Sequence, residues 1–188
     1  MEALHLVRWQ DWSGTGIEHL TLRTGPDGID AESVVIGPAE EPIFAVRYAI
    51  ACDDRWHVRT VRVELVGGDR RVELSSDGDG RWTDATGHPL PELAGAIDVD
   101  LTATPFTNTL PIWRLGLTAG GTAEILVAYI VVPDLSVALE RQRYTCLETG
   151  RRYRFESLDG DFARDIDVDE HGLVLTYPGL FRRVVQAP

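Results

Sequence analysis

Short runs of alternating apolar and polar residues recur along most of the chain. In residues 60–65, for example, the odd positions are Val, Val and Leu, and the even positions are Thr, Arg and Glu. Successive side chains of a β-strand point to opposite faces, so this alternation gives one apolar face and one polar face. The runs are rich in β-branched and aromatic residues and are bounded by Gly, Pro and Asp, as is typical of strands. The pattern predicts an all-β fold.

Glycine-containing turns join some of these strands into two predicted hairpins. The first spans residues 60–74 around the turn Gly-Gly-Asp at 67–69, and the second spans residues 143–156 around Glu-Thr-Gly at 148–150. Glycine supplies the positive φ that such turns require at little steric cost. The aromatic residues expected to face the core of the second hairpin are Tyr144, Tyr153 and Phe155.

The two hairpins also suggest an internal repeat. Three residues have counterparts 81, 82 and 80 positions later, in the pairs Tyr48 and Tyr129, Gly68 and Gly150, and Gly80 and Gly160. A duplication would give two similar half-sheets around a shared interior. Turn chemistry common to all-β chains would give the same spacing, so both explanations stay open.

Helix is expected only in short pieces. Residues 90–96 contain Pro91-Glu92, which suits a helix start, and residues 135–141 could follow an N-cap at Asp134. No low-complexity linker or block of charge divides the chain, so residues 1–188 are expected to form a single domain. The predicted architecture is an antiparallel roll or open half-barrel, with two similar halves as one possibility.

Composition excludes several classes of function. With 18 Lys+Arg against 30 Asp+Glu, the formal net charge is −12, which disfavours binding to nucleic acid and to anionic bilayers. Every basic residue is Arg, so chemistry through a lysine Schiff base is excluded. No window approaches the roughly 20 apolar residues of a membrane span, and the first ten residues lack a signal-peptide core. We therefore expect a cytoplasmic location.

The sequence lacks the common signatures of nucleotide, hydrolase and zinc chemistry, namely GxxxxGK[ST], GxSxG and HExxH. The alternating aspartates of 165–169 resemble the start of a calcium loop, but Glu170 replaces its glycine and Thr176 its final glutamate. An Asp-rich strand edge that leads into a turn at 170–172 is the better interpretation. Cys52 and Cys146 lack CxxC spacing and are predicted to be buried and free. The five histidines show no short ligand spacing. We expect neither a metal nor a cofactor.

Residues 98–115 carry an unusual density of hydrogen-bonding side chains. If the segment opens as a strand, Asp98 and Asp100 share one face about 7 Å apart and need a partner for their charges. Folding back of residues 105–111 would bring Arg114 to a carboxylate in a bidentate pair. The group is either part of a ligand site or a contact that closes one end of the sheet, and both interpretations remain open.

Five blocks spread over nearly the whole chain carry a family resemblance: Tyr48-x-Ile50-x-Cys52-Asp53-x-x-Trp56-x-x-Arg59, Asp98-Val99-Asp100-Leu101, Thr104-Pro105-Phe106-Thr107-Asn108-Thr109-Leu110-Pro111, Gln142-Arg143-Tyr144 and Tyr177-Pro178-Gly179-Leu180-Phe181. With them the chain resembles the bacterial "putative glycolipid-binding" family, formerly a domain of unknown function. It departs from that family at Trp113, where a second basic residue is usual. The resemblance implies an all-β roll similar in shape to carriers that hold lipid in a half-barrel, and it implies no established enzyme activity.

The residue chemistry suits an amphipathic ligand, which needs an apolar groove and a polar mouth rimmed by aromatic rings. Trp56, Trp82, Trp113 and Tyr144 are the aromatic residues that could stack on a sugar ring, although each could equally fill the core. Carboxylates, amides and guanidinium groups could pair with sugar hydroxyls. The candidate ligand-binding residues are Trp56, Arg59, Asp98, Asp100, Thr107, Asn108, Trp113, Arg114 and Tyr144.

Three functions are therefore considered. The preferred hypothesis is a non-catalytic binding protein for a glycolipid or similar amphipathic molecule, because no residue marks a nucleophile. The second is a hydrolase or isomerase that acts on a sugar or lipid headgroup through Asp98, Asp100 and Arg114. The third is a structural module whose exposed edge strand pairs two copies into a homodimer. A cavity opening beside Asn108 and Arg114 would favour the first.

Overall fold

The computed structural model describes residues 2–184. Within them, one sheet holds fourteen strands, which we number in chain order. The strands are β1 Ala3–Asp11, β2 Ile17–Gly25, β3 Gly28–Ile36, β4 Ala45–Cys52, β5 Val58–Leu65, β6 Arg71–Ser76, β7 Trp82–Asp84, β8 Asp98–Leu101, β9 Thr122–Val131, β10 Ser136–Glu148, β11 Arg152–Ser157, β12 Ala163–Val168, β13 Val174–Tyr177 and β14 Phe181–Arg183. Two 3-10 turns, Pro91–Leu93 and Phe106–Asn108, and one α-helix, α1 Thr109–Leu115, complete the regular structure.

The spatial order of the strands is β7-β6-β5-β4-β3-β2-β1-β14-β13-β12-β11-β10-β9-β8. Neighbours pair antiparallel except β8 and β9, which are parallel. Strands β7 and β8 are the two edges, so the sheet is open and does not close into a barrel. The predicted all-β open roll with only short helices is confirmed.

Both predicted hairpins are present. Strand β5 pairs with β6 in a register that places Val63 opposite Val72, and β10 pairs with β11 in a register that places Tyr144 opposite Phe155. The odd positions of residues 60–65 are buried, as the alternation predicts. The three aromatic residues assigned to the core of the second hairpin are also buried.

The proposed repeat corresponds to four strands. The offset of about 81 residues relates β4–β7 to β9–β12, and both groups are antiparallel meanders in the same order. It fails at β3, because the corresponding positions lie in α1 rather than in a strand. The likeness therefore covers two meanders and does not extend to whole halves of the sheet.

The helix predictions are partly wrong. Residues 90–96 form only the turn Pro91–Leu93, and residues 136–141 belong to strand β10. Strand β10 pairs with β9 from Ser136 onward, and this long-range pairing outweighs local helix propensity. Leu135, with φ of 58°, lies in the turn before it.

The core consists of two hydrophobic clusters. The larger contains Trp9 and Trp82, whose indole N–H groups donate to the carbonyls of Val174 and Ala96. The smaller centres on Tyr144 and its aromatic neighbours. The two cysteines are buried and free, as predicted. Among the described residues, no helix has the length and hydrophobicity to span a bilayer.

Candidate functional site

The segment after β8 folds back as the sequence predicts. Pro105 and Pro111 lie within or beside the two consecutive helical turns, and Gly116 ends α1 in the left-handed conformation. This return brings the Arg114 guanidinium to Asp98, where Nε lies 3.1 Å from both carboxylate oxygens. Burial raises the pKa of Asp98, although the hydrogen bond and the charge of Arg114 oppose that rise. The predicted bidentate pair is thus present.

Asp100 is the centre of a second polar group on the same strand. Its two carboxylate oxygens accept hydrogen bonds from Thr107 Oγ1 at 2.9 Å and from Gln142 Nε2 at 2.7 Å. Nearby, the Tyr144 hydroxyl donates to Asn108 Oδ1 at 2.9 Å. Burial raises the pKa of Asp100, and its partners are neutral side chains rather than cations. Four predicted site residues, Asp100, Thr107, Asn108 and Tyr144, therefore lie together.

Asp100 and Asn108 line a cavity of about 450 Å³, which we name the tyrosine cavity. Half of its sixteen lining residues carry carboxyl, amide or hydroxyl groups on aliphatic side chains: Asp100, Thr102, Thr104, Asn108, Glu140, Gln142, Ser157 and Asp159. Most of the others are aromatic: Tyr129, Phe155, Phe162, Tyr177 and Phe181. Aromatic faces combined with paired polar groups are the surroundings that a sugar ring requires.

A second cavity of about 460 Å³, which we name the tryptophan cavity, lies beside the first. Only five of its nineteen lining residues are polar: Asp11, Ser13, Glu18, Glu40 and Thr102. Its walls include Trp9, Trp12, Ile17, Val35, Phe44, Ala103 and Val132. Trp12 is about half exposed and stands at the opening. An apolar space of this size suits a hydrocarbon chain.

The two cavities share a wall. Thr102, Leu180 and Phe181 line both. Phe181 opens β14 and pairs with Asp11 at the end of β1, so both cavities lie at the same end of the sheet, where β1 ends and β14 begins. An apolar space and a polar, aromatic space thus adjoin across three side chains.

Glu18 is a functional candidate that sequence analysis missed. Its carboxyl group is buried in the wall of the tryptophan cavity, and its Oε1 accepts hydrogen bonds from the hydroxyls of Ser33, Tyr48 and Thr104. Its Oε2 has no hydrogen-bond partner among the described residues. Burial raises the pKa of Glu18 to about 7. In the sequence, a glutamate at a core-facing position of an alternating strand is the signal that points to it.

Seven of the nine predicted site residues line neither cavity. Two of the seven, Thr107 and Tyr144, hold Asp100 and Asn108 by hydrogen bonds, and the other five lie elsewhere. Trp56 stacks on Trp113, with ring centroids 5.7 Å apart, and Arg59 lies 3.8 Å from Asp53. Trp56 follows β4, whose register with β3 places Ala45 at the cavity end and Cys52 at the opposite end.

Asp98 pairs with Arg114 and lines neither cavity, and Arg114 instead borders a separate recess of about 380 Å³. Trp82 lies in the core. The structure therefore divides the predicted site into two groups.

The sequence carries a signal for some of the other residues that line the tyrosine cavity and none for the rest. Gln142, Tyr177 and Leu180 stand in the blocks that carry the family resemblance, so those blocks were the available signal. Glu140 and Phe162 stand in no such block, and their place in the cavity depends on the pairing of β10 with β11 and of β11 with β12.

The acidic run is a strand followed by a turn, as predicted: Asp165 and Asp167 lie in β12, and Asp169 stands at the start of the turn. Asp169 Oδ1 accepts the backbone N–H groups of His171 and Leu173. Within residues 2–184, no group of three or more His, Cys, Asp or Glu side chains is arranged to hold a metal ion.

A solved structure and a family model are similar to this chain over most of its length. A crystal structure of a DUF1089 family protein from Pseudomonas aeruginosa is similar over 89% of this chain and 92% of that chain, with 41% sequence identity and a TM-score of 0.79. No curated protein matches the chain. The family model described as "Putative glycolipid-binding" matches residues 6–183. The chain therefore belongs to this family.

Proposed function

We propose that this protein binds a glycolipid-like amphipathic molecule without chemical conversion. The sugar headgroup would occupy the tyrosine cavity and the acyl chain the tryptophan cavity. The observation that carries the proposal is the shared wall of Thr102, Leu180 and Phe181, because it joins a polar aromatic space to an apolar one. One molecule with a polar and an apolar part would fill both.

The side chains of the tyrosine cavity support recognition of hydroxyl groups. Asn108 and Gln142 present amides, and Asp100 presents a carboxylate held in place by Thr107. Gln142 donates to Asp100, and Asn108 is held by the Tyr144 hydroxyl and the Pro105 carbonyl, so little rotamer entropy is lost when a ligand binds. Tyr177 and its aromatic neighbours offer faces on which a sugar ring can stack.

The geometry favours binding over the hydrolase or isomerase hypothesis. That hypothesis requires Asp98 and Asp100 to act on one substrate with Arg114. Asp98 is fully buried, its carboxylate is paired with Arg114, and only Asp100 of the three lines the tyrosine cavity. The cytoplasmic location, the single-domain organisation and the homodimer remain predictions from the sequence.

Calorimetric titration with dodecyl β-glucoside below its critical micelle concentration tests the proposal. We expect wild-type protein to bind, and Ala103→Phe to weaken binding about tenfold or more because the larger side chain fills the tryptophan cavity. The matched control is Ala119→Phe, at an exposed position outside both cavities, which should bind as the wild type does.

Native mass spectrometry of protein purified from its host gives an independent measurement. A co-purifying lipid is expected on the wild type and is expected to be depleted on Ala103→Phe. The proposal is wrong if the wild type carries no lipid and binds no alkyl glycoside, or if the two phenylalanine variants bind equally.

A further inference from the structure

The two cavities also constrain the charge of the ligand. We infer that the site selects uncharged or amino-substituted sugar headgroups and rejects acidic ones such as uronates and phosphates. This inference rests on the proposed function and specifies its ligand class. It is argued from the charges that line the cavities and from the groups that those charges contact.

Acidic side chains line both cavities, and basic ones line neither. The tyrosine cavity has Asp100, Glu140 and Asp159, and the tryptophan cavity has Asp11, Glu18 and Glu40. Among the described lining residues of the two cavities there is no arginine or histidine. Burying an anion without a cationic partner is strongly unfavourable. An acidic headgroup bound in either cavity would be buried without a cationic partner among the lining residues.

The acids of the tyrosine cavity already repel one another. After burial, the charges of Asp100 and then Asp159 are the causes that raise the pKa of Glu140. Asp100 receives its hydrogen bonds from neutral Thr107 and Gln142, so no cation offsets its charge. A further negative charge in this space would add to the repulsion, whereas an ammonium group would relieve it.

An independent observation in the tryptophan cavity points the same way. Glu18 is buried in its wall, and its Oε2 lacks a hydrogen-bond partner. The three hydroxyls that surround this carboxyl group all contact Oε1. While Glu18 is ionised, above a pH of about 7, a ligand donor such as a hydroxyl or an amine near the head of the acyl chain would satisfy the remaining oxygen, whereas a carboxylate or phosphate would not.

Arginines close to the cavities have other contacts. The Arg164 guanidinium stacks on Phe162 at 4.8 Å from the ring centroid and donates to the carbonyl of Ala163. Arg143, on β10, pairs with Glu124 at 2.6 Å on the exposed face. An anionic ligand would have to recruit Arg164 away from Phe162 to gain a partner.

Three probes with the same chain and ring test the inference: dodecyl β-glucoside, dodecyl β-glucuronide and dodecyl β-glucosaminide. At neutral pH the glucoside is uncharged, the glucuronide is anionic and a large share of the glucosaminide is cationic. We expect the glucosaminide to bind at least as tightly as the glucoside, and the glucuronide to bind about tenfold or more weakly. The inference is overturned if the glucuronide binds as tightly as the glucoside. If no probe binds, the proposed function fails and the inference fails with it.

Two charge-matched variants separate a local effect from the effect of overall charge. Glu140→Gln removes a charge inside the tyrosine cavity, and Glu148→Gln removes one from an exposed position outside both cavities. We expect Glu140→Gln to reduce the ratio of glucoside to glucuronide affinity by about threefold or more, and Glu148→Gln to leave that ratio unchanged. Equal effects of the two variants would contradict the inference. So would a glucuronide that binds wild type tightly but is lost in Arg164→Gln.

Discussion

At the scale of the residue, the buried carboxyl group of Glu18 has a raised pKa because it lies on the core face of a strand. A carboxyl group on the core face of a strand is costly unless it is hydrogen-bonded or protonated. Here three hydroxyls offset part of that cost, yet burial still raises the pKa to about 7. The protonation state of Glu18 therefore changes near neutral pH, next to a cavity that we propose holds an acyl chain.

Replacing Glu18 by Gln should remove a pH dependence of stability. The pKa of this carboxyl is 4.5 in the unfolded chain and about 7 in the folded protein, so the folded state holds its proton more tightly. The resulting stabilisation is complete below pH 4.5 and is lost as the pH rises through 7, a change of roughly 3 kcal/mol. The free energy of unfolding of Glu18→Gln, minus that of wild type, should therefore rise by about that amount between pH 4.5 and pH 8.

The control for this measurement is Glu32→Gln, at an exposed position on the neighbouring strand β3. Chemical denaturation of the three proteins across this pH range gives the comparison. A constant difference between Glu18→Gln and wild type at all pH values would show that Glu18 titrates normally.

At the scale of the element, the connections between strands determine where the polar groups lie. Residues 102–116 leave β8, form two helical turns and return to β9, which pairs parallel with β8. This excursion carries Thr104 to Glu18, Thr107 to Asp100 and Asn108 to Tyr144. One connecting segment thus makes polar contacts with β2 and also with β8 and β10.

Glycines in two other connections allow a prediction at this scale. Gly80 has φ of +91°, and a Cβ there would lie 2.8 Å from the Cα of Gly95, whereas Gly116 has φ of +55° with nothing within 4 Å. Gly116→Ala should lower the free energy of unfolding by about 1 kcal/mol through backbone strain alone. Gly80→Ala should cost about 3 kcal/mol or more, because it also separates two packed backbone segments. Urea denaturation measures both, and equal losses would contradict the contact at Gly95.

At the scale of the whole molecule, the site depends on a contact between the two ends of the chain. Strand β1 pairs with β14, from Trp9 opposite Arg183 to Asp11 opposite Phe181. This pairing joins the meander β1–β7 to the meander that ends at β14. The tryptophan cavity takes lining residues from both sides of that junction. A ligand held there would contact both parts of the sheet.

Bound ligand should therefore protect both parts from hydrogen exchange. With dodecyl β-glucoside present, we expect slower amide exchange in β1–β4 and in β9–β14, because ligand binding lowers the population of opened states. Exchange in β6 and β7, at the far edge of the sheet, should stay unchanged. The Ala103→Phe variant, whose binding is expected to be weakened, serves as the control and should show less protection at the same ligand concentration. Protection confined to one part of the sheet would argue against a ligand that spans both cavities.

The sequence predicted local and strongly patterned features well. The burial of Val61 and Val63, the hairpin around Gly150 and the pairing of Arg114 with Asp98 all follow from residues near one another in the chain. The helix expected at 135–141 was wrong, because a long pairing with β9 overrides local propensity. The prediction that Trp56 and Asn108 share one site was also wrong. Asn108 lines the tyrosine cavity, whereas Trp56 follows the end of β4 that points away from the cavities.

The sequence by itself determined which residues form strands, which faces they bury and where the chain turns, because these features depend on side-chain alternation and turn chemistry over a few residues. The tertiary structure decided which buried polar groups meet and where space remains between them. Those outcomes depend on the curvature of the sheet and on pairings between distant residues, such as Trp9 with Arg183. Glu18 and Thr104 stand 86 positions apart, and only the folded chain brings them to the wall between two cavities.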